Sequence, residues 1–102
     1  MRLADIQASL IQQKAMLFFG AHSHVWLFGS RVDDDKKGGD IDLYIEPEIQ
    51  EPEKLVDARL NFLVEMHRVL GEQRIDLVLH RTQTNHDLPV YRIAKETGVK
   101  LL

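Results

Sequence analysis

Three aspartates and a Gly-Ser pair are the residues of this chain whose types and spacing could do chemistry. Asp40 and Asp42 stand two apart in the stretch Asp40–Glu46, Asp76 lies in Arg74-Ile75-Asp76-Leu77-Val78, and Gly29-Ser30 closes the run His24–Phe28. Residues two apart on a strand project from the same face, and the strand rise sets their Cα atoms roughly 6.5–7 Å apart. Carboxylates with that reach can converge on one divalent cation, or on two ions about 3.5–4 Å apart. Ionised carboxylates so close repel each other, and a cation reverses that cost. Glycine lets the backbone approach a phosphate, and serine adds a hydroxyl donor beside its own N–H. A helical turn beginning after Ser30 would add exposed N–H groups that favour an anion. Phosphoryl and nucleotidyl transfer need such parts: they must hold a polyanion, neutralise its oxygens and align an attacking hydroxyl.

Each motif also has a plainer reading. An Asp-x-Asp on a strand is most often a solvated polar face. Here it gains meaning from Gly29-Ser30 one strand earlier and Asp76 on a later one. The run Asp33-Asp34-Asp35 suggests a calcium loop, but an EF-hand begun at Asp33 would put Lys37 at its fifth position. Tyr44 would then stand where the bidentate glutamate belongs, so that reading fails. The five histidines form no HExxH motif, and without cysteine there is no Cys/His zinc set. Trp26, Phe28 and Phe62 read as core rather than as stacking platforms. Arg92 and Lys95 read as a solvated helical face.

The elements that must position these residues follow from periodicity. Leu3, Ile6, Leu10 and Leu17, widened by Ala4, Ile11, Ala15 and Phe18, recur at helical spacing over about 3–19, with Gly20 as a stop. His24–Phe28 is a short apolar run rich in β-formers, the pattern of a buried strand. After the polar connection 31–39, Ile41, Leu43 and Ile45 alternate with Asp40, Asp42, Tyr44 and Glu46, a strand with different chemistry on its two faces. Pro52 suits the first turn of a second helix, expected to run to about residue 70 with Gly71 beyond its end. Val56, Leu60, Leu63 and Leu70, with Leu55, Phe62, Met66 and Val69 beside them, supply its apolar face. Arg74–His80 reads as a third strand, with Ile75, Leu77 and Leu79 on one face and Asp76 and Val78 on the other. Asp87 and Pro89 open a third helix to about Thr97, Gly98 closes it, and Val99–Leu102 reads as a final edge strand. The order helix, strand, strand, helix, strand, helix implies an α+β (mixed α/β) fold, a small mixed β-sheet packed with helices. Strand directions do not follow from these patterns.

The 102 residues suit one domain, 1–102, and a second core would be hard to build. The absence of cysteine removes disulfides and thiolate chemistry and is compatible with a reducing cytosol. The first 19 residues are interrupted by Asp5, Gln7, Gln12, Gln13 and Lys14, so they contain neither a signal-peptide core nor a span of ~20 apolar residues. A cytoplasmic location and no membrane association are the expectation. The formal charge of −3 argues against a broad footprint for duplex nucleic acid. It leaves room for a nucleotide, because a small anion needs only a local site and a metal can supply the positive charge.

At this point the residues meet a family. The stretch Leu27–Glu46, LFGSRVDDDKKGGDIDLYIE, resembles the signature of the DNA polymerase beta-like nucleotidyltransferase superfamily: a hydrophobic residue, Gly-Ser, a spacer, then Asp-hydrophobic-Asp-hydrophobic. Phe28 precedes Gly29-Ser30, nine residues intervene, and Asp40-Ile41-Asp42-Leu43 completes the pattern. Tyr91–Val99 is similar to the last helix and turn of the short bacterial minimal nucleotidyltransferases (MNT), often paired with HEPN toxins. The resemblance implies that Asp40 and Asp42 bind metal ions together with the nucleotide's phosphates. It implies that Asp76 completes the metal site and helps deprotonate the attacking hydroxyl, and that Gly29, Ser30 and, more loosely, Arg31 contact the triphosphate. The cation expected is Mg²⁺, with Mn²⁺ an equally hard alternative.

The implied activity is a metal-dependent transfer of a nucleoside monophosphate, AMP from ATP, onto a hydroxyl of a macromolecular acceptor. The implied role is an antitoxin that adenylylates a HEPN toxin. A binding module that neutralises its partner by contact is the alternative, and an aminoglycoside-type small-molecule transferase, as a homo-oligomer, is a second.

Overall fold

Residues 5–29, 41–71, 73–84 and 87–102 are described by the structure, a computed structural model. The elements run α1 (Asp5–Phe19), β1 (His24–Phe28), β2 (Ile41–Glu46), α2 (Pro52–Leu70), β3 (Ile75–Leu79), α3 (Pro89–Thr97) and β4 (Val99–Lys100). This is a small α+β protein with a four-stranded mixed sheet of order β3-β2-β1-β4. β1 lies antiparallel to both β2 and β4, and β2 and β3 are parallel. A parallel pair needs a crossover, and α2 supplies it. Expected and observed elements coincide to within a residue or two, and Val99–Lys100 is the short edge strand the apolar tail suggested.

The sheet separates two clusters. On one face Val25, Leu27, Ile41, Leu43, Ile45 and Leu77 pack against Ile11, Ala15 and Phe19 of α1 and Leu55, Phe62 and Met66 of α2. The alternation of β2 dictates this, since its odd-numbered apolar residues all point to one side. Phe19 and Phe62 meet with ring centroids 5.2 Å apart and join the two helices at the base of that layer. On the other face Trp26, Tyr44, Tyr91 and Ala94 form a smaller cluster beneath α3. Trp26 and Phe62 are buried as expected, whereas Phe28 is half-buried.

The inward sides of the long helices differ from the expectation. Ile6 and Leu17 of α1 are exposed, and the inward residues are Ile11, Ala15 and Phe19. On α2, Val56 and Leu60 face outward while Leu55, Ala58, Phe62 and Met66 are buried. Both helices carry more than one apolar stripe, so periodicity identified the helices without selecting the side that meets the sheet.

Glu65 ties the two helices together. It takes Arg68 one turn on, in its own helix, and Lys14 of α1 at 3.2 Å. The Arg68 guanidinium, and then the Lys14 ammonium, hold the Glu65 carboxyl down at about 2, from an ordinary value of 4.5. A carboxylate depressed on folding contributes stability above its unfolded value and loses it as pH falls through its folded value. Thermal unfolding is therefore expected to show a loss of stability from pH 5 to pH 2 that is smaller in Glu65→Gln. Equal losses in the two proteins would contradict this role.

Candidate metal and nucleotide site

The parallel pairing of β2 with β3 is in register at the chemistry-bearing residues, with Asp42 opposite Asp76. Paired residues on neighbouring strands lie about 4.8 Å apart and point to the same face. That face is the one under α3, shared with Phe28, Tyr44 and Val78. On the other side of β2, Phe28 is the antiparallel partner of Asp42. Gly29, the next residue, is thus delivered to the Asp42 side chain by strand pairing alone. A Cβ built on Gly29 would fall on the Asp42 carboxylate, and the backbone there has φ +76°, a conformation L side chains rarely adopt. Glycine is required on both counts, steric and conformational.

The structure therefore brings together Asp42 of β2, Asp76 of β3 and Gly29 just past the end of β1. Ser30, Arg31 and Asp40 lie outside the described residues, as does any helical turn after Ser30. Among the described residues no group of three or more metal-ligating side chains is assembled. The described donor set is two carboxylates side by side, hard oxygen ligands of the kind Mg²⁺ or Mn²⁺ takes. Two adjacent carboxylates fit a divalent cation, and the close approach that Gly29 permits is that of the Asp42 carboxylate.

Asp76 has a neighbour that the sequence reading passed over. Arg74 Nε lies 3.4 Å from Asp76 Oδ1, with the two side chains 74% and 44% exposed. The signal was available, since residues 74 and 76 share a face by strand period, and Arg74 stands just before β3. In a solvated setting this pair is worth little. It places a positive charge where the carboxylates concentrate negative charge, so it offsets part of their repulsion.

Further along the same face a second polar group closes the sheet. The Tyr44 hydroxyl donates to Glu46 at 2.7 Å and lies 2.8 Å from His80 Nδ1. The hydroxyl has one proton and Glu46 takes it, so His80 must donate from Nδ1. Burial, and then the bond to Glu46, push the Tyr44 hydroxyl well above its ordinary value, which keeps it a donor. Lys95 Nζ completes the group 3.2 Å from Glu46 Oε2 and over the Trp26 ring, while His80 stacks on Tyr91 at 3.8 Å. Lys95 is thus half of an ion pair rather than part of a purely solvated helical face, and Tyr44, placed on the polar face of β2, is fully buried by α3. This group holds α3 on the sheet and leaves the Asp42/Asp76 end to other work.

Compared with protein-family models and with curated proteins, the chain has no match in either. Among the described residues no helix is long and apolar enough to cross a membrane.

Gly29→Ala tests the close approach. The left-handed backbone alone is expected to cost about 1–2 kcal/mol, with a further loss from contact with Asp42. Urea unfolding should show a lower midpoint at unchanged slope. A midpoint equal to that of the wild type would mean that Gly29 does not sit against Asp42.

Proposed function

We propose that the chain is a metal-dependent nucleotidyltransferase that moves a nucleoside monophosphate, AMP from ATP, onto a hydroxyl of a macromolecular acceptor. The observation that carries this reading is the pairing of Asp42 with Asp76 in register, with Gly29 closed against Asp42. The sequence resemblance adds Asp40 as a third carboxylate, and Ser30 and Arg31 as phosphate contacts.

Asp42 and Asp76, with Asp40, would hold the cation by carboxylate oxygens. A Mg²⁺ ion held there would neutralise charge on the phosphate oxygens. Gly29, with no side chain, lets phosphate lie close to backbone amides. An Asp76 carboxylate oxygen takes the acceptor's hydroxyl proton. The freed oxygen forms a bond to the α-phosphorus as the bond from that phosphorus to the bridging oxygen breaks and pyrophosphate leaves. Asp76 lies on the edge strand β3 with its side chain 44% exposed, which suits an acceptor too large to be enclosed. The HEPN-type toxin is the acceptor that the sequence resemblance suggests.

Incubation with labelled ATP and Mg²⁺, with and without the protein encoded beside it, followed by intact-mass measurement, tests the reading. One or more AMP masses are expected on the acceptor. Asp42→Asn should abolish the adduct, and Asp76→Asn should slow transfer by about 10²–10⁴-fold, the range for removing a positioned base. Transfer at wild-type rate by folded Asp42→Asn would contradict the assignment.

A further inference from the structure

The outward side of α2 carries a pattern that the carboxylate site does not use. Val56, Leu60 and Val64 are 67%, 62% and 59% exposed, while Leu55, Ala58, Phe62 and Met66 of the same helix are buried against the sheet. A helix apolar on opposite sides is ordinarily covered on both. Ile6 and Leu17 of α1, the neighbouring helix of the layer, are also exposed, at 72% and 68%.

The arrangement of that stripe identifies what covers it. Glu53, Val56, Leu60, Val64 and His67 stand at −7, −4, 0, +4 and +7 from Leu60, and all are exposed. The spacing is a palindrome. An interface between two copies about a twofold axis must be self-complementary, each residue meeting its counterpart reciprocally. If two α2 helices cross antiparallel at Leu60, Val56 of each copy meets Val64 of the other, and Leu60 meets Leu60. Glu53 then falls opposite His67. Glu53 lies in the first turn of the helix and His67 in the last, while Lys54 is paired with Glu51 and Arg68 with Glu65. Antiparallel packing sets Glu53 of each copy against His67 of the other and opposes the two helix dipoles. A second copy of this chain supplies both halves of the match, the Val56–Val64 contact and the Glu53–His67 contact, from one stripe.

We infer that two copies of the chain associate through α2, antiparallel and centred on Leu60, to make a layer of helices between two outward-facing sheets. The Asp42/Asp76 face is under α3, on the opposite side of the sheet from α2. Both carboxylate sites therefore stay open in the pair, and the inference stands independently of the proposed activity. One crossed helix pair lies at or below the small end of stable interfaces, about 1,200 Å² in total. Association is accordingly reversible and follows concentration.

The chain contains no cysteine, so single substitutions report the geometry directly. Under mild oxidation Leu60→Cys is expected to give a covalent dimer, because residue 60 meets itself at the axis. Val56→Cys alone should stay uncrosslinked, since the two copies of residue 56 lie eight residues, about 12 Å, apart along the axis and beyond disulfide reach. A mixture of Val56→Cys with Val64→Cys should crosslink. Sedimentation velocity across a range of concentrations should show a wild-type dimer that Leu60→Glu, with unchanged circular dichroism, removes. Glu53→Lys should weaken the dimer several-fold, and Glu53→Lys combined with His67→Glu should restore it. A wild-type chain monomeric at all concentrations, a Leu60→Glu dimer as tight as wild type, or Val56→Cys crosslinking as readily as Leu60→Cys would overturn the inference.

Discussion

Asp42 and Asp76 stand side by side because β2 and β3 run parallel with residue 41 opposite 75. A shift of that pairing by one residue would turn one carboxylate toward the core, since side chains alternate faces. The register is protected by what lies beneath it. Ile41, Leu43, Ile45 and Leu77 are buried on the opposite face, so every slip that separates the aspartates by one position also exposes apolar surface. Core packing on one side of the sheet thereby enforces the geometry of charges on the other. Two like charges held together oppose folding, and the hydrophobic face, aided by Arg74 beside Asp76, offsets that opposition.

The rest of the fold serves this juxtaposition. α2 is the crossover that lets β2 and β3 run the same way, and its Phe62 and Met66 cover the sheet beneath them. β1 runs antiparallel to β2, and for that reason its last residue, Phe28, arrives opposite Asp42 and hands Gly29 to the carboxylate. α3 covers the same face farther along, anchored by Tyr44, Glu46, His80 and Lys95. One end of that face is therefore packed and hydrogen-bonded, and the carboxylates occupy the other.

Much of this was legible in the chain itself. The period of two in Ile41–Glu46 and Ile75–Leu79 gave both strands and the face of each aspartate, and Pro52, Gly71 and Gly98 bounded the helices. The physical reason is local: alternation and chain punctuation are properties of neighbours in sequence. What could not be read depends on partners far apart in the chain. Strand direction is one such case, and with it the register of Asp42 and Asp76. The inward side of α2 is another, because Val56, Leu60 and Val64 are as apolar as Leu55 and Met66, and only contact with the sheet decides between them. Tyr44 followed the polar alternation of β2 yet is buried, since α3 covers it from 47 residues downstream. Ser30 and Asp40 belong to the same sequence motif as Gly29 and Asp42, Arg31 lies in its spacer, and the part proposed for all three rests on the sequence resemblance.

The proposed divalent-cation site at Asp42 and Asp76, beside Gly29, is tested most directly by paramagnetic broadening by Mn²⁺. In a ¹⁵N-labelled sample, substoichiometric Mn²⁺ should selectively broaden the amides of Gly29, Asp42, Asp76 and their immediate neighbours. Excess Mg²⁺ should reverse the effect, and it should be absent in Asp42→Asn. Broadening centred elsewhere, for example on the acidic start of α2, or broadening unchanged by Asp42→Asn, would contradict the account.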